Sequence, residues 1–482
     1  MSRLAAAAPI TVRMKGAPAG RPAAGDAQAA HGERSDHSEH GEHGEHGEHS
    51  EHGEPAVSHE PGPARLLADL PVPGEWRSLA RHRSTYRTPP PASARPNRRL
   101  IELVGRAGLR GRGGAGFPTV RKLEAVAGGR EHRVVVANAT EGEPASAKDR
   151  LLVTRMPHLV LDGALLAAHA VGAEEIVVCL ERTGREAARA LHRALAERAG
   201  REALVCSVRI ALTPPRYVAG EETALVHWLN GGPAKPTVAP PRPFERGVDR
   251  RPTLVQNVET LAHLSQIAAF GADWFRRAGT AEEPGTTLFT VSGATRPMVL
   301  EAEIGARGRD VLAAAGALPA GRLQAVLVGG YFGTWMAAGD LEGSLLSRGA
   351  LSHLGASPGA GVLVTLPASG CGLLETARIL RWYAGESARQ CGPCTFGLPA
   401  LAEVTSALAA GRARSDDVAR LQRWAGDVEG RGACRHPDGA VRLLRSALSV
   451  FASDVAAHMS GRPCAGSKQP AFPVPAPSKE WR

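Results

Sequence analysis

Between residues 132 and 212, short apolar segments rich in Val and Ile alternate with segments of helical periodicity. β-Branched residues favour strands, and apolar residues that recur every three or four positions favour helices. The predicted elements are strands at 132–139, 174–181 and 203–212 and helices at 161–173 and 185–200. Because this alternating order is typical of a parallel sheet covered by helices, we expect an α/β domain over residues 76–285.

Two more regions follow, each with its own pattern. Residues 286–365 combine short strand patterns, one short helix and a glycine turn, which indicates a small α+β domain. Residues 366–465 contain four amphipathic segments joined by short links, which indicates a helical bundle. The four helices are expected at 373–385, 396–411, 415–429 and 438–459. The Pro-rich residues 466–482 are expected to form a disordered tail.

Residues 1–75 are also expected to form a disordered tail, and a low-complexity tract in it has His at every third position. These histidines are His37, His40, His43, His46, His49 and His52. Imidazoles in such a tract can bind Zn²⁺ or Ni²⁺ loosely. The alternative, which we favour because composition alone is weak evidence for metal binding, is a solvated tail that its His and Glu residues keep expanded.

The charge balance limits the classes of partner. The chain carries 58 Lys and Arg against 48 Asp and Glu, a net charge of +10. No basic block with interleaved aromatic residues occurs, so no nucleic-acid binding is expected, and the diffuse positive field favours anionic ligands such as nucleotides. The apolar runs fall far short of the ~20 residues of a membrane span, and we expect no span and no signal peptide. The 7 scattered Cys argue against a disulfide framework, which favours a cytoplasmic location.

A glycine-rich segment, GLRGRGGAGFPTVRK, covers residues 108–122. Glycines let backbone N–H groups approach a phosphate or a flat ring closely. The spacing matches G-x-G-x-x-G, but a helical pattern precedes it, whereas a dinucleotide fingerprint should follow a strand. Arg112 and Lys122 add cations beside the loop, which favours an anion site over an ordinary flexible turn.

Two acidic motifs also indicate ligand contacts. Asn138, Glu141 and Glu143 follow a predicted strand, at the end where α/β sheets bind ligands, although a solvated acidic loop would have the same sequence. In YVAGEETAL (217–225), an aromatic ring and a glycine precede two acids. Those acids, Glu221 and Glu222, stand before a helical pattern, so helix capping is the alternative to ligand binding.

Cys391 and Cys394 form a C-x-x-C motif, and Cys434 follows forty residues later. Two thiolates spaced in this way can face one metal centre, which suits an iron–sulfur cluster or Zn²⁺. A redox-active dithiol is the rival interpretation, and an ordinary pair of core cysteines is the third.

These motifs, in this order, resemble the flavin-bearing, NADH-binding subunit of respiratory complex I, a family that includes diaphorase subunits of hydrogenases and formate dehydrogenases. The resemblance runs from about residue 95 to 460 and rests on GRGGAGFP, NATEGEP, YVAGEETAL, PTLVQNVETLA and the C-x-x-C with its later Cys. It implies a Rossmann-like FMN-binding domain over 76–285, a β-grasp-like (SLBB) domain over 286–365 and a helical iron–sulfur domain over 366–465.

The resemblance also assigns residues. It places Gly111, Arg112, Gly113, Gly114 and Lys122 on the flavin and phosphate loop, and Asn138, Glu141, Tyr217, Gly220, Glu221, Glu222 and Asn257 in the flavin and nucleotide pocket. Phe117 and Glu143 match positions near bound NADH. Cys391, Cys394 and Cys434 match three of four ligands of a 4Fe-4S cluster.

The sequence departs from the family at several of these places. Ala388 stands at the position of the first cluster ligand, and alanine cannot bind iron. Water, Ser387 or a partner could complete the shell, or the cluster could have three iron atoms or be absent. Cys371 would lie about 20 Å away along a helix, near the wrong end. The nucleotide pocket also departs from the family. Thr140 replaces an acid and Gln256 replaces an Asn. Arg242 stands where the family has a stacking Phe, and the nearest Phe, Phe244, is displaced by two residues.

The resemblance implies an NADH dehydrogenase of the diaphorase type, in which hydride passes to FMN and electrons pass singly to the cluster. A ferredoxin-like or thioredoxin-like 2Fe-2S protein is the implied partner, in an assembly that could be peripheral to a membrane. The alternative is a degenerate scaffold or electron-transfer subunit without NADH oxidation. A metal-handling role for the His tract is a third hypothesis.

Overall fold

The computed structural model describes residues 11–12, 56–59, 65–90, 95–130, 132–199, 201–202, 206–293, 297–318 and 323–481. The His-rich tract predicted at residues 37–54 lies outside these residues.

The strands are β1 (Thr11–Val12), β2 (Ala56–His59), β3 (Arg133–Ala139), β4 (Ala173–Glu181), β5 (Ser207–Thr213), β6 (Thr253–Asn257), β7 (Thr286–Ser292), β8 (Met298–Glu303), β9 (Leu323–Val328), β10 (Thr334–Ala337) and β11 (Val362–Pro367). The helices are α1 (Leu79–Arg83), α2 (Arg98–Ala107), α3 (Thr119–Ala127), α4 (Lys148–Arg155), α5 (Pro157–Val171), α6 (Arg185–Arg198), α7 (Glu222–Leu229), α8 (Val258–Phe270), α9 (Ala272–Arg276), α10 (Gly308–Ala314), α11 (Ala338–Gly343), α12 (Arg348–Ser352), α13 (Gly372–Glu386), α14 (Leu398–Ala409), α15 (Asp417–Val428), α16 (His436–Val450) and α17 (Ala452–Met459).

The first sheet has the order β1-β5-β4-β3-β6, and its four long strands run parallel. β3 is fully buried from Val134 to Ala137, because helices such as α5 and α8 cover the sheet. The predicted strands and helices of this α/β region are confirmed. β6, which the strand patterns did not predict, adds beside β3 with Val255 opposite Val136.

The second sheet has the order β10-β9-β11-β7-β8-β2. Two strands that are distant in sequence, β7 and β11, lie side by side and parallel at its centre, while the neighbours on either side are antiparallel. α10 supplies Val311 and Leu312 to the core on one face of this sheet. The expected α+β character of residues 286–365 is therefore present.

The C-terminal region is a helical layer packed around α13, which contacts α14 and α16. The expectation of one helix over 438–459 is wrong, because the chain bends at Phe451 between α16 and α17. The Phe451 ring is buried against Trp335, with ring centroids 5.3 Å apart, and the helix breaks where this side chain turns inward.

The expectation of a disordered tail over residues 1–75 is wrong for the described residues, since residues 56–59 form strand β2 and residues 65–75 pack against the α/β region. Leu66 and Leu67 are fully buried in the α/β core. The Glu301 carboxylate accepts hydrogen bonds from the backbone N–H groups of Arg65, Leu66 and Leu67 at 2.8–3.0 Å. This buried acceptor orders the segment, which composition alone did not reveal.

The expectation of a disordered tail over 466–482 is also wrong for the described residues. Phe472 is buried in the bundle core, and the Tyr331 hydroxyl donates to the Pro473 carbonyl. At the other end of the segment, the Ala234 N–H donates to the Trp481 carbonyl at 2.9 Å. A Pro-rich sequence is therefore held by contacts from three parts of the fold.

Across the residues that the structure describes, no single helix is both long and apolar enough to cross a membrane. Helices α4 and α5 have the length and composition of a membrane span only when they are taken together, and the chain bends by 97° between them.

Replacing Glu301 should destabilise the α/β region. Glu301→Ala would leave three buried backbone N–H groups without their acceptor, and we expect a loss of roughly 2–5 kcal/mol in the free energy of unfolding. Thermal unfolding of the purified chain measures it, with Glu282→Ala, at an exposed position, as the control. Equal melting temperatures for the two variants would contradict this assignment.

Candidate functional site

A cavity of about 700 Å³ lies where the two sheets and the helical region meet. The α/β region lines it with Gly113, Gly114, Asn138, Glu141, Glu143, Lys148, Asp149, Tyr217, Gly220, Glu221 and Asn257, among others. The second sheet and its loops add Gly329, Phe332, Gly333, Arg348, Ser357 and Gly359, and the helical region adds Cys434, Arg435, His436 and Arg442. Nine of the predicted cofactor-binding residues, from distant parts of the sequence, thus share one space.

The glycine-rich segment forms a loop between α2 and α3, as its helical flank predicted. The Gly111 N–H donates to the Phe117 carbonyl at 2.9 Å, which closes the loop on itself. A Cβ on Gly113 would stand 3.3 Å from the Asn257 Cβ, so the loop backbone passes directly over the end of β6. The Arg348 guanidinium donates to the Gly114 carbonyl and holds the loop from the opposite side.

Arg112 lies outside the cavity lining although the sequence placed it on the phosphate loop. Its guanidinium donates to the carbonyls of Thr286, Arg110 and Pro284 at 3.2–3.3 Å. The side chain is buried, and this burial lowers its pKa to about 10. Arg112 therefore joins the loop to the start of the second sheet.

Four other predicted residues lie beside the cavity. The Lys122 Nζ is 3.2 Å from the Glu222 carboxylate and 3.3 Å from the Val255 carbonyl. Phe117 is 45% exposed at the surface. Gly111, Phe117, Lys122 and Glu222 are absent from the lining residues.

Asn138 ends β3 and organises the floor of the cavity. Its amide donates to the Gly220 carbonyl at 2.9 Å, and its side-chain oxygen accepts from the N–H and hydroxyl of Thr140. A Cβ on Gly220 would clash with the Thr140 hydroxyl oxygen. Thr140, at the position where the resemblance has an acid, therefore packs and bonds within the floor and adds no charge there.

Glu141 and Glu221 each cap a helix at the edge of the cavity. Glu141 accepts from the backbone N–H groups of Asp149 and Arg150 at 2.9 and 3.0 Å, at the start of α4. Glu221 accepts from the N–H groups of Thr223 and Ala224 at the start of α7. The capping interpretation therefore holds for Glu221, and both acids also line the cavity.

A buried cation lies under the cavity, and no sequence pattern indicated it. The Lys148 ammonium is 2.8 Å from both the Asp149 and the Glu259 carboxylates. These two acids outweigh burial and raise the pKa of Lys148, which stays charged. Asn257 donates to the second oxygen of Asp149 at 2.7 Å.

Glu143 projects into the cavity wall next to the second sheet. One carboxylate oxygen accepts from the Tyr331 N–H at 3.0 Å, and the other accepts from the Ala145 N–H at 3.3 Å. Loss of hydration nevertheless raises the pKa of Glu143 to about 7, and the nearby charge of Glu141 adds to the shift. Glu143 therefore changes its charge near neutral pH.

Tyr217 connects the cavity with the helical region. Its ring lies edge-on to Trp382 at 5.0 Å and to Tyr383 at 5.6 Å, and it also contacts the ring of His436. The His436 Nε2 is 3.0 Å from the Tyr383 carbonyl, and burial lowers the pKa of His436 to about 4, so the ring is neutral.

The three predicted metal-ligating cysteines lie close to one another in the helical region. Cys394 is buried, while Cys391 and Cys434 are partly exposed. Burial raises the pKa of the Cys394 thiol to about 12, and the neighbouring charges of Cys391 and Cys434 act in the same direction. Cys434 also lines the cavity, so the cysteine group and the cavity share a wall.

The first position of the predicted cluster motif is Ala388, which is buried beside this cysteine group. The adjacent Ser387 hydroxyl donates to the Cys394 carbonyl at 3.3 Å. Cys371 caps the opposite end of α13, 15 residues of helix away, which confirms that it lies near the wrong end.

Sequence reasoning missed the cavity residues from the second sheet and from the bundle. Arg348, Phe332 and Arg442 belong to segments without motifs, and the Arg442 guanidinium lies 5.2 Å over the Phe332 ring. Gly330 has a φ of +77°, and a Cβ there would meet the Glu143 carboxyl carbon at 2.6 Å. The glycine turn ending the strand pattern at 322–333 was the signal available in the sequence.

Comparison with known proteins gives two family matches. A family described as the Nuo51 FMN-binding domain matches residues 104–266. The NADH-ubiquinone oxidoreductase-F iron-sulfur binding region matches residues 375–458.

Individual relatives agree with these matches. An F-type subunit of the NADH-quinone oxidoreductase of Rhizobium meliloti is 33% identical over 413 residues, which are 83% of this chain and 96% of the relative. The HndC subunit of the NADP-reducing hydrogenase of Solidesulfovibrio fructosivorans is 29% identical over 76% of this chain and 77% of its own length. The structure of an NAD⁺-reducing [NiFe]-hydrogenase in the H₂-reduced state matches with a TM-score of 0.71 and 31% identity, over 84% of this chain and 67% of the other.

The raised pKa of Glu143 predicts a pH-dependent stability. The folded chain binds this proton more tightly than the unfolded chain. Below pH 4.5, the ordinary pKa, the carboxyl is protonated in both states and does not change the free energy of unfolding. As pH rises from there to about 7, the carboxyl lowers the free energy of unfolding increasingly. Glu143→Gln should therefore be more stable than the parent by on the order of 1–3 kcal/mol at pH 8, with little difference at pH 4.5. Melting temperatures across this range, without added nucleotide, measure the effect, and a constant offset at all pH values would contradict it.

Proposed function

This chain belongs to the family of the NADH-quinone oxidoreductase F subunit and its hydrogenase counterparts, and on that premise we propose that it oxidises NADH at the cavity. Its cofactors are FMN, NADH and an iron–sulfur cluster. The observation that carries the proposal is that Cys434 lines the same cavity as the glycine loop. A flavin site and a cluster site with a common wall are suited to passing electrons from one to the other.

The floor of the cavity fits a flat ring system. Gly113, Gly142 and Gly220 present bare backbone, and a Cβ at either of the last two would clash with neighbouring atoms. The amide of Asn138 and the capping carboxylates beside it present polar atoms around this flat floor. When bound there, FMN would accept a hydride from NADH and release electrons singly to the cluster, which is chemistry that the cofactors supply.

The protein's part is to orient the ligands and to set the charge around them. The glycine loop, held by Arg348, forms one wall. Lys148 stays protonated beneath the floor, and its ion pairs with Asp149 and Glu259 hold the segments of the floor together. Glu143 lines the same cavity, where its charge at high pH would oppose an anionic dinucleotide.

The nucleotide-binding part is the less complete portion of the site. Arg242 lies within 3.6 Å of the Glu222 carboxylate with a 60% exposed side chain, and Phe244 is 37% exposed nearby in sequence. We propose that the Lys122, Glu222 and Arg242 group contacts the outer part of the dinucleotide, with Arg242 placed to stack on a base or to bind a phosphate.

The donor set of the cluster site consists of three thiols, which is enough to hold a cluster with one iron atom ligated otherwise. We propose that Cys391, Cys394 and Cys434 ligate it and that water, Ser387 or a partner protein supplies the remaining ligand. We also propose that the second sheet, whose parallel centre and covering helix α10 suit a β-grasp-like (SLBB) domain, helps to dock a 2Fe-2S partner. A cytoplasmic or peripheral location is consistent with such an assembly.

Gly220 provides a test of the flavin site. Gly220→Ala would place a Cβ against the Thr140 hydroxyl, so the backbone at the cavity floor must shift to relieve an overpacking cost of about 1–3 kcal/mol. Because FMN is proposed to lie on this floor, we expect weaker binding of FMN. FMN titration followed by anaerobic addition of NADH measures both flavin binding and flavin reduction. Gly339→Ala, which meets no atom within 4 Å, is the control. If flavin bound to the parent chain is not bleached by NADH, the proposed catalytic role is wrong.

Ala388→Cys tests the cluster site. The added thiol would complete a four-cysteine ligand set, so we expect more iron per chain and slower loss of the cluster in air. Iron analysis and electron paramagnetic resonance of the reduced protein measure these effects, with Ala384→Cys, in the preceding helix α13, as the control. If the parent chain and the variant both lack iron and show no paramagnetic signal, the scaffold function is favoured instead. The residue that motivates this alternative is Ala388.

A further inference from the structure

A second group of metal-ligating side chains lies at the far end of α13, away from the cavity. Cys371, His458 and Cys464 each offer one ligand atom, and these atoms all lie within 4.8 Å of one another. Among the residues that the structure describes, this is the one group of three or more His, Cys, Asp or Glu side chains whose ligand atoms lie this close together. Cys371 and His458 are fully buried, and Cys464 is partly exposed.

The distances within the group suit a tetrahedral ion. The Cys371 Sγ is 3.9 Å from the His458 Nε2. Metal bonds of about 2.3 Å to sulfur and 2.0–2.1 Å to nitrogen place two tetrahedral ligands about 3.6 Å apart. Small side-chain adjustments therefore bring both atoms to one ion.

The orientation of His458 also suits a metal ligand. Its Nδ1 lies 3.2 Å from the Leu408 carbonyl, so that nitrogen carries the proton and Nε2 has the lone pair. A backbone carbonyl that orients the second nitrogen in this way is the usual support of a metal-binding imidazole. In the structure the Nε2 lone pair accepts from the backbone N–H of Cys464 at 3.1 Å, so binding of an ion also requires the Cys464 backbone to shift away from Nε2.

We propose that Cys371, His458 and Cys464 bind one divalent cation of the zinc type. Two sulfur atoms and one imidazole favour Zn²⁺ over hard cations such as Mg²⁺ or Ca²⁺. The partly exposed Cys464 leaves room for a solvent molecule as the fourth ligand. This site is separate from the Cys391, Cys394 and Cys434 group, since the length of α13 lies between them.

The proposed site has a structural consequence for the C-terminal segment, residues 465–481. Beyond Cys464 this segment follows α13 from beginning to end, since the Ala471 N–H donates to Glu375 and the Ser478 N–H donates to Glu386. It ends with Trp481 stacked 3.9 Å from the guanidinium of Arg216, the residue before Tyr217 of the cavity. An ion at Cys464 would anchor the start of the segment to α13 and α17.

Zinc analysis of the full-length protein tests the proposal. After dialysis against a weak chelator, the parent chain should keep one zinc atom more per chain than Cys464→Ser and Cys371→Ser. All of these chains retain the His tract and the other cysteines, so zinc bound there cancels in the comparison. Cys206→Ser is the control, because this buried thiol donates to the Ala173 carbonyl, far from the group in sequence, and should lose no zinc.

A second measurement uses the parent chain and does not depend on how the variants fold. Trypsin can cut after the exposed Lys468, and removal of zinc with a strong chelator should speed release of the C-terminal segment. In Cys464→Ser the chelator should have no further effect. Equal zinc contents in the parent and both serine variants, or a Cys371–Cys464 disulfide in protein purified under reducing conditions, would overturn the proposal. NADH bleaching of the flavin is independent of all these outcomes.

Discussion

The buried ion pairs of Lys148 are the interaction on which the rest of the site depends. Its ammonium joins Asp149, at the start of α4, to Glu259, at the start of α8. Glu259 in turn accepts from the Leu288 N–H at 2.9 Å, near the start of β7 in the second sheet. Burying these charges is costly, and such a group contributes more to the relative position of its parts than to net stability. It fixes three segments of the cavity floor around one point.

The cavity follows from the way parallel sheets end. β3 and β6 both deliver an asparagine to the same edge, Asn138 and Asn257, because neighbouring parallel strands end together. Glu141, in the loop after β3, caps α4, and Glu221, between β5 and α7, caps α7, and both carboxylates line the cavity. Helix capping and lining of the cavity are therefore joint roles of the same carboxylates.

The C-terminal segment extends this organisation to the helical region. It runs along α13 between the Cys371 group at one end and the wall of the cavity at the other. Two different cysteine groups therefore lie at opposite ends of one helix. The Cys391, Cys394 and Cys434 group is next to the cavity, and the Cys371 group is at the start of the C-terminal segment.

The sequence by itself determined the order of the α/β elements, the glycine loop after a helix and the C-x-x-C motif with its missing partner at Ala388. These features are local, because periodicity and short spacing express the backbone and packing needs of adjacent residues. It did not show that Arg112 turns away from the cavity, nor that Arg348 replaces it beside the glycine loop. Only the tertiary structure decided these points, and the meeting of Cys371 with His458, since each depends on contacts between residues more than eighty positions apart in the sequence.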